Sequence, residues 1–296
     1  MTAVHKGLDL VALDRFLRRS GVAVDGELRA ELISGGKSNL TYGILDDTSH
    51  WVLRRPPTAG LTPSAHDVAR EYRITSALQG SAVPVARTVA LCEDDSVMGA
   101  PFTVVEYVGG RVVRSKDDLD SLSDTDIDRC TSKLVLVIAE LHAVDYEAVG
   151  LGGFGRPDGY VTRQVKLWQS QWDRVKTREL PDVERLHAAL ADSVPESPAP
   201  SIVHGDYRID NTILSNDDVG SVAAVVDWEL STLGDPLTDL AMMCVYRHPA
   251  LDQVLGFPAA WTSNRLPSAD DLVERYATVS GRDIAHWRFY MALAHF

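Results

Sequence analysis

The sequence predicts an α+β protein of two parts, a small strand-rich part over residues 1–110 and a larger, mainly helical part over residues 111–296. Short apolar segments joined by turn residues predict a small mixed part built on an antiparallel sheet. Its predicted strands are Arg29–Ser34, Leu40–Leu45, His50–Arg55, Val85–Cys92 and Phe102–Val108. Its predicted helices are Asp9–Arg19 and Ala65–Leu78.

In the second part, apolar residues recur at the spacing of one helix face. The predicted helices are Asp124–Ala143, Tyr160–Val175, Leu237–Tyr246, Ser268–Val279 and a last helix capped by Asp283. Ser268 and Asp271 have the spacing of a capping box, and Gly281 is predicted to end that helix. Two short strands, Thr212–Leu214 and Val222–Val226, are predicted to form a hairpin within this helical part.

Composition excludes several kinds of protein. The chain of 296 residues carries a net charge of −13, from 29 basic and 42 acidic residues, which disfavours nucleic acid or an anionic membrane as a partner. No apolar run approaches the ~20 residues that span a bilayer, and the N-terminus lacks a signal core. The three cysteines, which are few and widely spaced, predict a reducing cytoplasm and no zinc site.

One segment carries the residues of a phosphoryl-transfer site. His204-Gly205-Asp206 is followed by Asn211, and Asp227 ends the apolar run of the second hairpin strand. Asp206 is the candidate catalytic base, because a carboxylate can take the proton of a hydroxyl group. Asn211 and Asp227 are the candidate ligands of Mg²⁺, which prefers hard oxygen atoms. We expect His204 to have a structural, hydrogen-bonding role.

The predicted hairpin explains how the two metal ligands would meet. Asn211 and Asp227 are placed symmetrically about Val219, so a hairpin centred there pairs them at its open end. Opposed residues of such a pair lie about 5 Å apart, which is close enough to share one metal ion.

These motifs and the stretch Asp227–Ala241 resemble the aminoglycoside phosphotransferase family, small-molecule kinases with a two-lobed, protein-kinase-like fold. The resemblance extends from about Leu32 to the end and is greatest to the branch fused to acyl-CoA dehydrogenases. It implies ATP and Mg²⁺ as cofactors, a nucleotide-binding lobe over residues 1–110, and a catalytic and acceptor-binding lobe over residues 111–296. Family members usually extend further, so the resemblance leaves open whether the chain is truncated at Phe296.

The resemblance also assigns residues of the first part to the nucleotide. The turn after the first strand is predicted to lie over the phosphates, since glycine lets backbone amides approach an anion. Its candidate binding residues are Gly35, Gly36, Ser38 and Asn39. On the third strand the family has a basic residue, for which we choose Arg54 over Arg55, with Glu71 as its partner. Many kinases have lysine there, and arginine is a departure that still suits phosphate.

Three further assignments concern residues outside these motifs, the first of them implied by the same resemblance. The carbonyl of Glu106 and the amide of Val108 are expected to bond adenine where the fifth strand ends. Asp235 and Asp239 are expected at the cap or first turn of a helix, which is the ordinary role of such residues. Trp168 and Trp172 either pack in the core or line the acceptor pocket.

The sequence leaves the acceptor and the activity itself open. An aminoglycoside is a polycation that needs carboxylates around it, whereas a hydroxyacyl-CoA-like acceptor needs basic groups for its phosphates; neither set can be placed. Intact Asp206, Asn211 and Asp227 predict turnover. A nucleotide-binding regulatory module, a pseudokinase without turnover, is the alternative, and Arg54 leaves it room. ATP or GTP, the site of phosphorylation and the oligomeric state are undetermined.

Overall fold

The computed structural model describes residues 7–34, 39–57, 67–196 and 199–296. The chain divides into two compact units. The first consists of Met1–Gln79, Val85–Gly109 and Asp227–Glu229, and the second of Gly80–Pro84, Gly110–Val226 and Leu230–Phe296. None of the helices in the described part of the chain combines the length and the apolar character needed to cross a bilayer.

Two short segments depart from a simple division near residue 110, and each has a local cause. The carbonyl of Pro84 accepts a hydrogen bond from the amide of Val225 (2.8 Å) within the second unit. The carboxylate of Asp227 pairs with Arg54 (3.3 Å) within the first unit, although the two residues are 173 positions apart. Contacts between residues so distant in sequence leave no periodic pattern, so the placement of these two segments in the other unit could not be predicted.

An antiparallel five-stranded sheet forms the centre of the first unit, in the strand order β1-β2-β3-β5-β4. Its strands are β1 (Arg29–Ser34), β2 (Leu40–Leu45), β3 (His50–Arg55), β4 (Thr88–Cys92) and β5 (Phe102–Glu106). Its helices are α1 (Leu10–Arg19) and α2 (Val68–Ala77). The first three strands have the predicted bounds, and the predicted antiparallel sheet is confirmed.

Strand β3 separates its two arginines by alternation. Leu53 and Arg55 are buried on one face, where Leu53 packs in a core with Leu13 of α1. The guanidinium of Arg55 donates to the carbonyl of Met98 (3.0 Å), so its hydrogen bonds go to the backbone. Arg54 points to the opposite face, as the period of two requires. Of the two candidates, Arg54 is therefore the one with acidic partners.

The second unit is mainly helical, which confirms the predicted α+β class. Its helices are α3 (Lys116–Asp120), α4 (Asp124–Ala143), α5 (Tyr160–Val175), α6 (Pro181–Asp192), α7 (Pro236–Val245), α8 (Ala250–Leu255), α9 (Ala269–Ser280) and α10 (Trp287–His295). Its strands are β6 (Ser201–Val203), β7 (Thr212–Leu214), β8 (Val222–Val225) and β9 (Thr232–Gly234), which pair as β6-β9 and β7-β8. The bounds of α4 and α5 are those predicted.

The helix ends test the capping predictions. The capping box of Ser268 and Asp271 is present at the start of α9, and Gly281 ends that helix with φ of 65°. The prediction that Asp283 caps the last helix is wrong. The residue before α10 is His286, which has φ of 57°, so the helix begins at Trp287 and not directly after Asp283.

The register of the β7-β8 hairpin differs by one residue from the prediction. Thr212 pairs with Val225, and the amide of Val226 donates to the carbonyl of Asn211 (3.0 Å). Asn211 therefore faces Val226, and Asp227 lies one position beyond that pair. The turn lies nearer to β7 than predicted, because Leu214 pairs with Val222, two residues before the predicted partner Ala224. A bulge in β8 then reduces the difference to one residue at the open end of the hairpin.

Candidate active site

Asp239, in the first turn of α7, is a buried carboxylate that holds the loop after β6. Its two oxygens accept hydrogen bonds from the amides of His204 (2.6 Å) and Gly205 (2.8 Å). Asp235 caps α7 by accepting a bond from the amide of Leu237 (2.9 Å), as predicted. Asp239 does more than its predicted first-turn role. A buried carboxylate needs such donors, so the helix and the loop depend on each other.

A buried histidine of α4 continues this chain of hydrogen bonds. Nε2 of His142 lies 3.3 Å from Asp239, and Nδ1 lies 2.7 Å from the hydroxyl of Tyr276. Because a carboxylate only accepts, the proton is on Nε2 and the Tyr276 hydroxyl donates to Nδ1. Burial lowers the pKa of His142 below its ordinary value, although Asp239 opposes this, so the ring is neutral at pH 7.

The loop itself requires glycine at position 205. Gly205 has φ of 86°, in the left-handed region that glycine favours. A Cβ at this position would lie 2.9 Å from the Cβ and 3.0 Å from the carbonyl oxygen of Leu230. Both the backbone angle and the close approach therefore exclude a side chain.

His204 has the structural role that the sequence predicted. Its Nδ1 accepts a hydrogen bond from the amide of Asp206 (3.2 Å), which leaves the proton on Nε2. Nε2 then donates to the carbonyl of Val226 (3.0 Å), the residue that follows β8. The fully buried ring thus ties the loop to the open end of the hairpin.

Asp206, the predicted base, has an oriented carboxylate in the second unit. The amide nitrogen of Asn211 donates to Oδ2 (2.8 Å) and to the backbone carbonyl of the same residue (2.7 Å). Nε of Arg208 donates to Oδ1 (3.2 Å). Because the Asn211 nitrogen is used in this way, its amide oxygen is directed away from Asp206 and stays available as a ligand.

Arg208 lies between two carboxylates of the same loop. Besides Asp206, it pairs with Asp210 at 2.8 Å, and its side chain is 12% exposed. Burial raises the pKa of Asp210 above its ordinary value, although the charge of Arg208 opposes this. The guanidinium therefore partly neutralises two acids where a negatively charged substrate group would otherwise be repelled.

Arg54, Glu71 and Asp227 come together in the first unit. Nη1 of Arg54 lies 3.1 Å from Glu71 in α2, and Nη2 lies 3.3 Å from Asp227. The predicted ion pair between Arg54 and Glu71 is therefore present. Asp227 has φ of 68°, a left-handed conformation that is uncommon for a residue other than glycine. Strain of this kind is concentrated at functional positions.

A third acid joins this group and makes it suitable for a cation. Oxygens of Glu71, Asp227 and Glu229 all lie within 4.8 Å of one another. Burial raises the pKa of Glu71 to about 7, with Arg54 opposing and the neighbouring acids reinforcing the shift. Three carboxylates against one guanidinium leave excess negative charge and hard oxygen donors, which fit Mg²⁺.

The remaining predicted nucleotide residues are only partly described. Gly35, Gly36 and Ser38 lie outside the described residues. Asn39 is buried, at 4% exposure, next to them. Glu106 ends β5, where its side chain pairs with Arg87 and its amide donates to the Arg87 carbonyl (2.8 Å). Val108 follows two residues later and is half-buried.

Several residues around the site were not predicted from the sequence. They are Arg208, Asp210, Glu229, Tyr246 and His142. Arg208, Asp210 and Glu229 stand within four residues of a predicted site residue, so proximity in sequence was a signal for them. His142 and Tyr246 are distant in sequence and have no such signal. The two alternatives given for Trp168 and Trp172 stay open, since Trp168 is 46% exposed and Trp172 is partly buried, with its indole nitrogen donating to Glu184 (3.0 Å).

Replacing Asp239 by asparagine should destabilise the second unit strongly. An amide presents a donor where the His204 and Gly205 amides need acceptors, so we expect the free energy of unfolding to fall by about 3 kcal/mol or more. Urea denaturation followed by circular dichroism measures this. The exposed Asp270→Asn serves as the control, and equal denaturation midpoints for the two variants would contradict the assigned role.

The buried His142 should make stability fall with acid. Its folded pKa lies below the ordinary value of 6.5, so as the pH drops through 6.5 the unfolded chain binds a proton that the folded chain does not. Stability contributed by neutral His142 is thus present above pH 6.5 and lost below it.

Comparison with His142→Gln isolates this effect from the other histidines. The unfolding free energy of the natural chain should decline relative to the variant by up to about 1.4 kcal/mol per pH unit below pH 6.5. Denaturation curves between pH 7.5 and 5.5 measure the difference. A difference that stays constant over this range would show that His142 does not titrate between the two states.

Comparison with known proteins identifies the family of the chain. Residues 29–279 match the model of a family described as the phosphotransferase enzyme family. The chain is 36% identical to acyl-CoA dehydrogenase family member 10 of Mus musculus over 290 residues, which cover 96% of this chain and 27% of the mouse protein. It therefore spans about a quarter of that relative's length.

Solved structures show the same fold. A putative aminoglycoside phosphotransferase from Ralstonia eutropha JMP134 is 35% identical, with a TM-score of 0.81, over 97% of this chain and 85% of that one. A thermostable mutant of aminoglycoside phosphotransferase APH(4)-Ia, in a ternary complex with ADP and hygromycin B, is 18% identical with a TM-score of 0.64, over 95% and 87% of the two chains. The chain belongs to the phosphotransferase enzyme family, which confirms the predicted enzyme class and the protein-kinase-like fold.

Proposed function

We propose that this chain transfers the γ-phosphoryl group of ATP, in the presence of Mg²⁺, to a hydroxyl group of a small molecule. The observation that supports this most is the orientation of Asp206 by the amide of Asn211. A carboxylate held in this way can meet an incoming hydroxyl group in one defined direction, which is what a catalytic base requires.

Asp206 takes the proton of the acceptor hydroxyl in the proposed reaction. The hydroxyl oxygen attacks the γ-phosphorus, the bond to the bridging oxygen of ADP breaks, and the proton passes to the carboxylate. Positioning supplies most of the rate in such reactions. The buried Asp239 and the ring of His204 support the assignment, because they hold the backbone amides that lead up to the base.

Asn211 and Asp227 are the proposed ligands of Mg²⁺. When bound, the ion neutralises the nucleotide phosphates and stabilises the charge that develops on them. Asn211 offers its amide oxygen, since its nitrogen is bonded to Asp206. Asp227 follows directly after Val226, whose amide bonds to the carbonyl of Asn211, and its neighbours Glu71 and Glu229 add hard oxygens.

Arg54 is the proposed phosphate-binding cation of the nucleotide site. Glu71 orients its guanidinium, which has donors left for a phosphate oxygen. The glycine turn with Gly35, Gly36, Ser38 and Asn39 is proposed to cover the phosphates.

The adenine would be bonded by the carbonyl of Glu106 and the amide of Val108. The amides of Glu106 and Tyr107 donate to opposite neighbours, the carbonyls of Arg87 (2.8 Å) and His50 (3.0 Å). Continued alternation puts the two adenine-bonding groups on one side of the chain.

We propose that the first unit binds the nucleotide and that the second unit binds the acceptor. A reducing cytoplasm is the proposed location, because Cys92, Cys130 and Cys244 are free and buried.

A hydroxyacyl-CoA-like acceptor is the class that we propose first. The chain is 36% identical to part of a protein named as an acyl-CoA dehydrogenase family member, a name that places acyl-CoA chemistry on the same polypeptide. Two solved structures favour an aminoglycoside instead: the putative aminoglycoside phosphotransferase that is 35% identical to this chain, and the complex with hygromycin B, whose protein is 18% identical.

The alternative is a nucleotide-binding regulatory module without turnover. One observation favours this alternative. Arg54 is paired with both Glu71 and Asp227, and these ion pairs engage the cation that would otherwise bind phosphate. The oriented carboxylate of Asp206 opposes it, since a module that only binds nucleotide has no use for a base.

Two alanine variants should separate catalysis from nucleotide binding. Asp206→Ala should reduce kcat at least about a hundredfold, the lower range for losing a general base, while ATP affinity stays within about twofold. Asp227→Ala should also weaken binding of Mg²⁺-ATP. Coupled ADP release and calorimetric titration measure the two quantities.

The control for both variants is Asp217→Ala, in the exposed turn between β7 and β8, which should behave as the natural chain. Undiminished turnover in Asp206→Ala would contradict the role of this residue as the base.

An acceptor panel tests the reaction itself. We expect Mg²⁺-dependent ADP release to rise with hydroxyacyl-CoA thioesters that carry the hydroxyl at different carbons, and not with the matching acyl-CoA thioesters that lack it. Aminoglycosides form the second arm, and a phosphorylated product is identified by mass spectrometry. Tight ATP binding with no product from either arm would favour the regulatory module.

A further inference from the structure

We propose that Arg208 is a positioning residue, which holds the Asp206 carboxylate in the direction from which it meets the acceptor hydroxyl. This inference rests on the proposed function of Asp206 as the base. Nε of Arg208 donates to Oδ1 of Asp206 (3.2 Å), and Nη2 lies 3.5 Å from Oδ2. The guanidinium therefore faces both carboxylate oxygens, and a planar fork of this kind fixes the plane of a carboxylate.

The loop itself brings the arginine to the base. Tyr207 and Ile209 are buried, and the hydroxyl of Tyr207 donates to the carbonyl of Leu134 in α4 (2.9 Å). The backbone at Arg208 is extended, with φ of −164° and ψ of 170°. Because side chains alternate between two sides along an extended segment, Arg208 lies on the side opposite its buried neighbours, together with Asp206.

Two further contacts hold the guanidinium of Arg208. Nη1 lies 2.8 Å from Oδ2 of Asp210. The guanidinium carbon lies 5.3 Å from the centre of the Tyr246 ring, within the range of a cation–π contact. Tyr246 directly follows α7, the helix whose first turn carries Asp239. A carboxylate at each end and an aromatic ring beside it therefore limit the rotation of the guanidinium.

The ion pairs of this group are partly withdrawn from water. The side chains of Arg208, Asp206 and Asp210 are 12%, 18% and 14% exposed. Charges in such places are screened less than charges on the surface. Asn211 holds Oδ2 of Asp206 (2.8 Å), whereas Arg208 holds Oδ1 (3.2 Å). Without the guanidinium, the carboxylate is free to rotate about its Cβ–Cγ bond.

Asp210 keeps the guanidinium on the base. A phosphate group competes with carboxylates for arginine, since it also accepts the planar fork. Movement of Arg208 to a phosphate would leave two partly buried acids, Asp206 and Asp210, without their cation, which is costly. We therefore expect Arg208 to act on turnover, through the direction of Asp206, and not on the affinity for the nucleotide.

Alanine and lysine at position 208 separate orientation from charge. In Arg208→Ala, kcat for Mg²⁺-dependent ADP release should fall about a hundredfold, the effect of displacing a reacting group by about 1 Å, with the KM for ATP unchanged within about twofold. The acceptor is the best one of the panel, or water if none is phosphorylated. Arg208→Lys keeps the charge but loses the fork, so its kcat should stay at least about tenfold below that of the natural chain. Arg185→Ala, which removes an exposed arginine of α6 paired with Asp182, is the control and should leave kcat unchanged.

Chemical rescue gives a readout that a purely structural role would not move. Millimolar methylguanidinium should raise kcat of Arg208→Ala at least about tenfold, because it supplies the missing fork. Urea at the same concentration is planar but uncharged and should restore none of the activity. Asp210→Asn, which loosens the guanidinium, should lower kcat about tenfold, with no additional loss in Arg208→Ala/Asp210→Asn.

The outcomes separate this inference from the function on which it rests. The positioning role would be overturned by a folded Arg208→Ala protein with undiminished kcat, with a raised KM for ATP in place of a lower kcat, or without rescue by methylguanidinium. Absence of Mg²⁺-dependent ADP release from the natural chain would overturn the proposed function itself, and this inference with it. If thermal melting shows that Arg208→Ala is unfolded, Asp210→Asn decides the matter, since a kcat equal to that of the natural chain would also overturn the role.

Discussion

The carboxylate of Asp239 is the group on which the proposed site depends. It is withdrawn from water in the first turn of α7, where it accepts the amides of His204 and Gly205. A buried charge is tolerated only when such donors surround it, so any movement of the loop would leave it unpaired. The position of Asp206, which follows Gly205, is therefore fixed, because moving the loop would leave the charge of Asp239 without donors in the protein interior.

Two arginines partly neutralise the acidic residues of the proposed site. The chain is acidic overall, with a net charge of −13, yet its proposed substrate ATP is also negative. Arg54 pairs with Glu71 and Asp227 in the first unit, and Arg208 pairs with two acids in the second. A guanidinium has five donors in a planar fork, so it can retain a carboxylate and still bond a phosphate oxygen. Lysine, as a single ammonium, would not orient a carboxylate in the same way.

Secondary structure was predicted best where a periodic pattern ran without interruption. Strands β1 to β3 and helices α4 and α5 have the predicted bounds, because alternation and helical spacing are properties of neighbouring residues. Short elements such as α3 and α8 were missed, since five or six residues hold little more than one helical turn. The hairpin was predicted as an element, but its register was not, because the position of the turn and the bulge in β8 depend on local packing.

The sequence by itself determined which residues are available for the proposed chemistry: Asp206, Asn211 and Asp227, their spacing, and the glycine that the loop needs, since these are properties of residue type and of order along the chain. Only the tertiary structure decided how that chemistry is supported. Asp239 and His142 act through contacts with residues between 34 and 134 positions away. Such contacts depend on which faces of different helices meet, and no pattern of neighbouring residues encodes that meeting.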